Sequence, residues 1–176
     1  MKKKSNQKTE IHGDVERLTQ IGNVEGNVIV QATQQSSISE LKKRGCQLVA
    51  GRSYMQAINV FEEVLGIDST VSEIHYYIAL SLLNGKRPKL LGLQTIRKAE
   101  EHLKNAIRLD KRCGHAYILW AIIKYDFYVL NGMFDRSPTY DELLNMEWNL
   151  EANYKNELLT HVGAKGNKVW DWLKAQ

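Results

Sequence analysis

Five histidines and two cysteines are the side chains of this chain that could act as general bases, metal ligands or nucleophiles. No two histidines are spaced as HxxxH or HExxH, the patterns that place two zinc ligands on one helix face. The cysteines, Cys46 and Cys113, form neither a CxxC motif nor another metal-type spacing. Cys46 falls in a helical pattern, where cysteine usually behaves as a small buried hydrophobic residue. The sequence therefore predicts no metal site. The histidines are His12, His75, His102, His115 and His161.

Other catalytic signatures are also absent from the sequence. It contains no GxxxxGK[ST] phosphate loop and no GxSxG nucleophile elbow. The stretch GNVEGN, residues 22–27, has glycines, but no lysine lies in it and no helix follows it directly. The acidic pairs Glu100-Glu101 and Asp141-Glu142 fit ordinary helix surfaces. We therefore expect a protein that is not an enzyme and needs no cofactor.

Composition indicates a folded protein of 176 residues. Hydrophobic residues make up 43%, and four Trp and eight Tyr supply large side chains for a core. The net charge of +4 permits acidic partners without requiring nucleic acid. The basic start, MKKKSNQKTE, has no apolar stretch behind it, and no apolar run approaches the ~20 residues that span a bilayer. We expect a cytoplasmic protein that does not enter membranes.

The chain changes character near residue 38. Residues 1–37 predict a disordered or β-prone leader and linker, because a lysine-rich start precedes β-branched residues mixed with Gly-Asn and Gly-Asp pairs. From residue 38 the apolar residues recur at helical spacing. Helices are predicted at 38–50, 54–66, 72–84 and 93–109, with another beginning near Gly114. The fold class is therefore all-α.

The helical pattern repeats. Gly45 and Ala79 occupy equivalent small-residue positions 34 residues apart, and Ala121 is the third such position. Ala57 and Phe61 in the second helix correspond to Ala99 and Leu103 in the fourth. Small residues at these positions let neighbouring helices approach closely. A period near 34 residues is typical of stacked helical hairpins.

These residues resemble tetratricopeptide repeats, whose pattern has a small residue in the first helix and Ala-x-x-x-Phe in the second. The resemblance covers roughly 38–130. Leu41 replaces the Trp usual in the first helix, and Ser69 and Lys111 replace the Pro that closes each repeat.

The resemblance implies a concave groove lined by the first helix of each hairpin, where a partner peptide or protein binds. Cys46 and Leu80 stand where some members of the family have carboxylate-gripping asparagines, so the groove is expected to be more apolar than in those members. Alternatively, the apolar members are simply core residues. The implied groove residues are Lys42, Cys46, Tyr76, Leu80, Leu83, His115, Ile118, Ile122 and Tyr125.

An insertion near residues 84–98 is the most basic part of the helical region. A solvated loop is one interpretation, and a contact for an acidic partner or a phosphate backbone is the other. No aromatic residue lies among the charges, which does not favour single-stranded nucleic acid. The basic residues are Lys86, Arg87, Lys89, Arg97 and Lys98.

Residues 131–176 are predicted to be a helical cap for the repeats, because a helical solenoid needs an end unit that covers its last open face. One long helix is expected from Pro138 to about Val162. A short last helix should then present Trp170 and Trp172 as an apolar cover.

The leader contains Gly-Asn-Val twice in succession. It resembles short amyloid-type signalling motifs with a Gln–aliphatic–Gly core, and Gly-Asn/Asp-Val leaders of bacterial signalling proteins. The segment could add strands to a partner's sheet, stack with copies of itself, or remain a passive arm. The residues assigned to self-assembly are Gln20, Ile21, Gly22, Asn23, Val24, Gly26, Asn27 and Val28.

The combined prediction is a protein–protein interaction adaptor that binds a partner protein or peptide and self-associates through residues 11–31. Two alternatives remain open. One is an effector of a bacterial signalling or defence system with an unrecognised activity. The other is a nucleic-acid-associated protein that uses the basic residues of 86–98.

The leader hypothesis predicts a difference between the full chain and a 36–176 truncation. We expect larger assemblies only from the full chain in sedimentation or light scattering. Val28→Pro should abolish them, because proline removes a ladder hydrogen bond. Glu25→Gln should strengthen them, since stacked like charges would lie about 4.8 Å apart. If the full chain and the truncation are both monomeric at equal concentration, the leader is only a passive arm.

Overall fold

The computed structural model describes residues 34–175, and most of these residues are helical. The chain divides after Ser39 into two units, and the second, Glu40–Gln176, contains α2 to α8. No strand occurs within 34–175; one isolated bridge pairs Cys113 with Asn149. The all-α prediction is confirmed for this part of the chain, and the predicted self-assembly residues, 20–28, lie outside it. The α-helices are α1 (34–50), α2 (Tyr54–Ile67), α3 (Ser72–Leu82), α4 (Leu93–Leu109), α5 (Gly114–Phe127), α6 (Tyr140–Leu144), α7 (Ala152–His161) and α8 (Lys168–Ala175).

The first five helices follow the predicted order and nearly the predicted bounds. Consecutive helices pack on one another, with α3 lying mainly against α4, α2 against α3, and α4 against α5. The apolar stripes that the repeat pattern identified are fully buried in α2 and α4. Helical periodicity located them because a stripe at this spacing forms one face of a helix. They are Ala57, Phe61 and Val64 in α2, and Ala99, Leu103 and Ala106 in α4.

A close approach between α1 and α2 explains why position 45 is glycine. A Cβ at Gly45 would overlap with the ring of Phe61. That ring is fully buried and stacks on Tyr77 of α3, with centroids 5.2 Å apart. Gly45 therefore lets one aromatic side chain join α1, α2 and α3.

Helix α5 is the central element of the unit. Thirteen of its 14 residues are buried, and it packs against α3, α4, α6, α7 and α8. Asp126 is fully buried in it and carries a carboxylate. Arg87 donates two hydrogen bonds to Asp126 Oδ1, from Nε and Nη2, and the Lys89 backbone N–H donates to Oδ2 at 3.0 Å. The insertion between α3 and α4 is thus fixed to the core through its own arginine.

The long helix predicted from Pro138 to Val162 is wrong. Thr139 caps α6 in a capping box with Glu142, α6 ends at Leu144, and α7 begins only at Ala152. Between them, Asn149 exchanges backbone hydrogen bonds with the start of α5: its N–H donates to Arg112 O, and its carbonyl accepts from Gly114 N–H. Gly114 leaves the space for this contact, because a Cβ there would overlap with the Asn149 carbonyl. These hydrogen bonds with Arg112 and Gly114 take the place of the bonds that Asn149 would make inside a continuous helix.

The last helix was predicted correctly, and of the two tryptophans expected to cover the repeats, Trp170 is half-buried and Trp172 lies edge-on to Trp148. Val169 and Leu173 are buried in α8, whereas Trp172 is 37% exposed. Asn167 fixes the entry to α8: its Oδ1 accepts from the backbone N–H of Val169, and its Nδ2 donates to Ile122 O of α5. This anchor, rather than the tryptophans, sets which side faces the core.

No helix within residues 34–175 combines the length and apolar character needed to cross a lipid bilayer.

The Gly45–Phe61 contact predicts opposite effects for two glycine substitutions. Gly45→Ala should lower the free energy of unfolding by about 1–3 kcal/mol through overpacking. Gly66→Ala, in α2 with nothing within 4 Å of its added Cβ, should be neutral or stabilising by up to about 1 kcal/mol. Urea unfolding followed by circular dichroism measures both.

Phe61→Ala tests the same contact from the other side. It should cost about 3–5 kcal/mol, and the double variant with Gly45→Ala should cost less than the sum, because the smaller side chain makes room for the new Cβ. Additive losses would show that the two positions do not share this contact.

Candidate functional site

Helices α1, α3 and α5 form a continuous surface, which we call the inner face. The thiol of Cys46 in α1 hydrogen-bonds with Tyr77 in α3. The ring of Tyr76 in α3 lies edge-on to His115 in α5, with centroids 4.6 Å apart. The first helices of the predicted hairpins are therefore neighbours. We define the inner face by Cys46, Glu73, Tyr76, Tyr77 and His115.

Most residues of the predicted groove lie in the protein interior rather than on an open surface. Apolar side chains from α3 and α5 meet the core there, as their helical spacing allows. Lys42, Cys46 and Tyr125 remain partly exposed, and Tyr125 contacts Tyr140 of α6. The buried members are Tyr76, Leu80, Leu83, His115, Ile118 and Ile122.

Helix α7 of the same chain covers the inner face, with Tyr154 at the centre of the contact. Its ring stacks on His115 with centroids 3.9 Å apart and lies edge-on to Tyr76 at 5.6 Å. Its hydroxyl donates a hydrogen bond to Glu73, and the same carboxylate forms an ion pair with Lys42. One aromatic side chain thus contacts both α3 and α5.

Two further residues of α7 add polar contacts at helical spacing. Glu157, three positions after Tyr154, accepts a hydrogen bond from Tyr76 Oη at 3.1 Å. His161, four positions later, is bonded through Nδ1 to Tyr54 Oη of α2 at 2.9 Å. Leu158 between them is fully buried. The arrangement is that of an amphipathic helix bound in a groove by one stripe of side chains.

Burial of this contact raises the pKa of its carboxyl group and lowers the pKa values of its imidazoles. Desolvation, with the nearby charge of Glu73, raises the pKa of Glu157 to about 7, against lowering by the hydrogen bonds from Tyr76 and Tyr77. Desolvation lowers the pKa of His115 to about 4 and also lowers that of His161. The α7 contact therefore favours a neutral carboxyl and neutral imidazoles.

Neither thiol is placed as a nucleophile. Burial raises the pKa of Cys46, and burial with the nearby Asp110 raises that of Cys113 to about 12. The Cys113 thiol donates to the Asp110 carbonyl at 2.8 Å. At neutral pH both groups are thiols, whereas nucleophilic attack requires a thiolate.

His75 and His102 face each other, with their Nδ1 atoms 3.0 Å apart. Desolvation lowers both pKa values, which keeps the imidazoles neutral. Within residues 34–175, no group of three or more His, Cys, Asp or Glu side chains is placed to hold a metal ion. The pair joins α3 to α4 as a hydrogen-bonded contact.

The predicted basic residues separate into two groups. Arg87 is engaged with Asp126, and the backbone of Lys89 is also held there. Lys86 is exposed in the insertion, while Arg97 and Lys98 are exposed on α4. Of the five side chains, that of Arg87 is bonded to the core. The other four lie in the insertion or on α4.

Sequence reasoning missed the α7 residues as part of the site. Tyr154, Leu158 and His161 stand at helical spacing, which is the signal of a buried stripe. The sequence does not show that this stripe packs against α3, because Tyr154 and Glu73 are 81 positions apart. Comparisons with protein-family models, with curated proteins and with solved structures found no match for this chain.

The raised pKa of Glu157 predicts a pH-dependent loss of stability that glutamine removes. Because the pKa is higher in the folded state, the carboxyl favours folding fully below about pH 4.5, and this contribution disappears as pH rises through about 7. Glu157→Gln should match the parent at low pH and exceed it increasingly toward neutral pH. The difference isolates Glu157, since the histidines titrate in both proteins.

Urea midpoints of the two proteins across this pH range measure the effect. Glu62→Gln, an exposed residue of α2, is the matched control and should give no pH-dependent difference. A constant offset between parent and Glu157→Gln would contradict the assignment.

Proposed function

We propose that this protein is a tetratricopeptide-like adaptor whose inner face binds an amphipathic helix of a partner protein, in the place where α7 lies. The observation that carries this proposal is the α7 contact itself. A helix occupies the inner face through Tyr154, Glu157 and His161, each bonded to a side chain of α2 or α3. A surface that accepts this helix accepts another with the same stripe.

The helical arrangement supports the tetratricopeptide-like part of the proposal. Gly45, Ala79 and Ala121 occupy equivalent positions in α1, α3 and α5. A side chain at Gly45 would meet Phe61, and both alanines are fully buried. Contacts from α1 to α3 and from α3 to α5 align the first helices, as stacked hairpins require.

The polarity of the contact supports displacement of α7. A hydrogen bond contributes only about 0.5–1.5 kcal/mol net to stability, because water replaces the lost partner. A partner helix that supplies a carboxyl group and an aromatic hydroxyl at the same spacing makes the same bonds. Self-association through residues 20–28 stands as a separate proposal, with its own test given above.

The proposal predicts that loosening α7 opens the inner face to a helix supplied in trans. Tyr154→Ala removes the ring contacts with Tyr76 and His115 and the bond to Glu73. A fluorescent peptide of residues 150–163 should then bind the full-length variant roughly a hundredfold or more tighter than the parent, whose own α7 competes at high effective concentration. Fluorescence anisotropy measures both affinities.

Two controls define the result. Asn153→Ala changes an exposed residue of α7 and should leave peptide binding as weak as in the parent. A peptide with the equivalent Tyr154→Ala change should bind the opened variant poorly. If the Tyr154→Ala variant is folded but does not bind the unchanged 150–163 peptide, the proposal is contradicted.

Hydrogen exchange on the parent protein gives a second test that needs no variant. If α7 detaches as a unit, its amides should exchange with a lower opening free energy than those of α3 and α5. Exchange of α7 only through global unfolding would also contradict the proposal.

A further inference from the structure

We propose that a cleft between α4, α5 and residues 129–138 is a second binding site, which takes an acidic peptide segment carrying an apolar or aromatic side chain. The cleft has a volume of about 510 Å³, a size that accommodates one or a few side chains of a ligand. It is formed without α7, so it is separate from the inner face. We call it the α4–α5 cleft.

Buried polar contacts hold the floor of the α4–α5 cleft in place. Glu100 of α4 is 8% exposed and accepts hydrogen bonds from Trp120 Nε1 at 3.0 Å and Tyr128 Oη at 2.9 Å. These two bonds fix aromatic side chains from α5 and the residue after it against α4. The aromatic groups are therefore oriented before any ligand arrives, which reduces the entropy lost on binding.

A second set of contacts holds the 129–138 segment over the cleft. Lys124 is buried in α5, forms an ion pair with Asp135 at 2.9 Å and donates to the Arg136 carbonyl at 2.7 Å. Its charge is thus compensated within the protein. The same contacts place the backbone of Arg136 at the edge of the cleft.

The charge that remains available in the cleft is positive. Arg97, Lys104 and Arg136 line it and are exposed, and Glu100 is the one carboxylate among the lining residues. Within residues 34–175, neither Arg97 nor Arg136 has a carboxylate within 4.0 Å; the described ion pairs involve Lys42, Arg87 and Lys124. Charge complementarity therefore favours an acidic ligand.

The mouth of the cleft also exposes apolar surface. Phe134 is 82% exposed, and Leu93 and Met133 are 41% exposed. Exposed apolar side chains grouped around charged residues are typical of protein-interaction sites. A ligand that covers them must itself carry an apolar or aromatic group beside its acidic ones.

A peptide fits this cleft better than single-stranded nucleic acid does. Binding to nucleic acid without sequence preference uses several aromatic faces in succession along a basic groove. Among the aromatic residues that line this cleft, Trp120 is 5% exposed and has the Lys104 ammonium 5.6 Å from its ring centroid, and Tyr128 is half-buried with the Lys124 ammonium 5.2 Å from its ring centroid. Phe134 is the most exposed of the three.

Selection from a phage-displayed library of random peptides on the full chain tests the proposal. Selected peptides should be rich in Asp and Glu and carry an aromatic or large aliphatic residue. Arg97→Glu combined with Arg136→Glu should weaken synthetic versions of them by about tenfold or more, with reduced salt dependence. Lys98→Glu, an equal charge change beside Arg97 on α4 but outside the cleft lining, should change affinity less than about twofold.

Phe134→Ser is the second variant, because its exposed side chain can be removed without altering the core. It should weaken the same peptides, whereas Tyr154→Ala should not. Four outcomes would overturn the proposal: no selected peptides, selected peptides without acidic residues, binding unaffected by the Arg97/Arg136 and Phe134 changes, or tighter binding of an oligothymidylate at the same salt concentration.

Discussion

The buried carboxylate of Asp126 is the constraint on which the rest of the helical unit depends. A charge without water must be compensated by nearby donors, or its burial is very unfavourable. Arg87 reaches it from the insertion, the Lys89 backbone adds an N–H, and Asn167 Nδ2 lies 3.5 Å away at the entry to α8. Two distant parts of the chain, the insertion and the entry to α8, must therefore meet at α5. Removing Arg87 alone would leave the carboxylate buried without its cationic partner.

Two kinds of helix contact occur in this unit. The contacts among α2, α3 and α4 are mainly apolar and include Phe61, Ala99 and Leu103, which are fully buried. Such packing is lost only when the helices separate and expose a large area to water. The contact of α7 instead joins aromatic rings to carboxylates and imidazoles, groups that water or another protein can also satisfy. The unit thus combines a largely apolar core with one contact in which aromatic and polar side chains predominate.

The sequence predicted α2 and α4 closely because their signals are local. Ala57 and Phe61, or Ala99 and Leu103, lie four positions apart, and that spacing alone defines a helix face. The break between α6 and α7 was missed because its cause is Gly114, whose missing side chain admits Asn149 from another part of the chain. The packing of α7 on the inner face was also missed, because it too joins segments that are distant in the sequence. Pairings between distant segments leave no periodic signal in either segment.

The position of α7 in the chain has a consequence for synthesis. It follows α1–α5, so these helices leave the ribosome before their cover exists. During that interval the contacts that Tyr154 makes with Tyr76 and His115 in the finished molecule are absent. Any helix with a matching stripe then meets no intramolecular competitor. Under the proposed function, a partner that is present during translation would gain access to the inner face without having to displace α7.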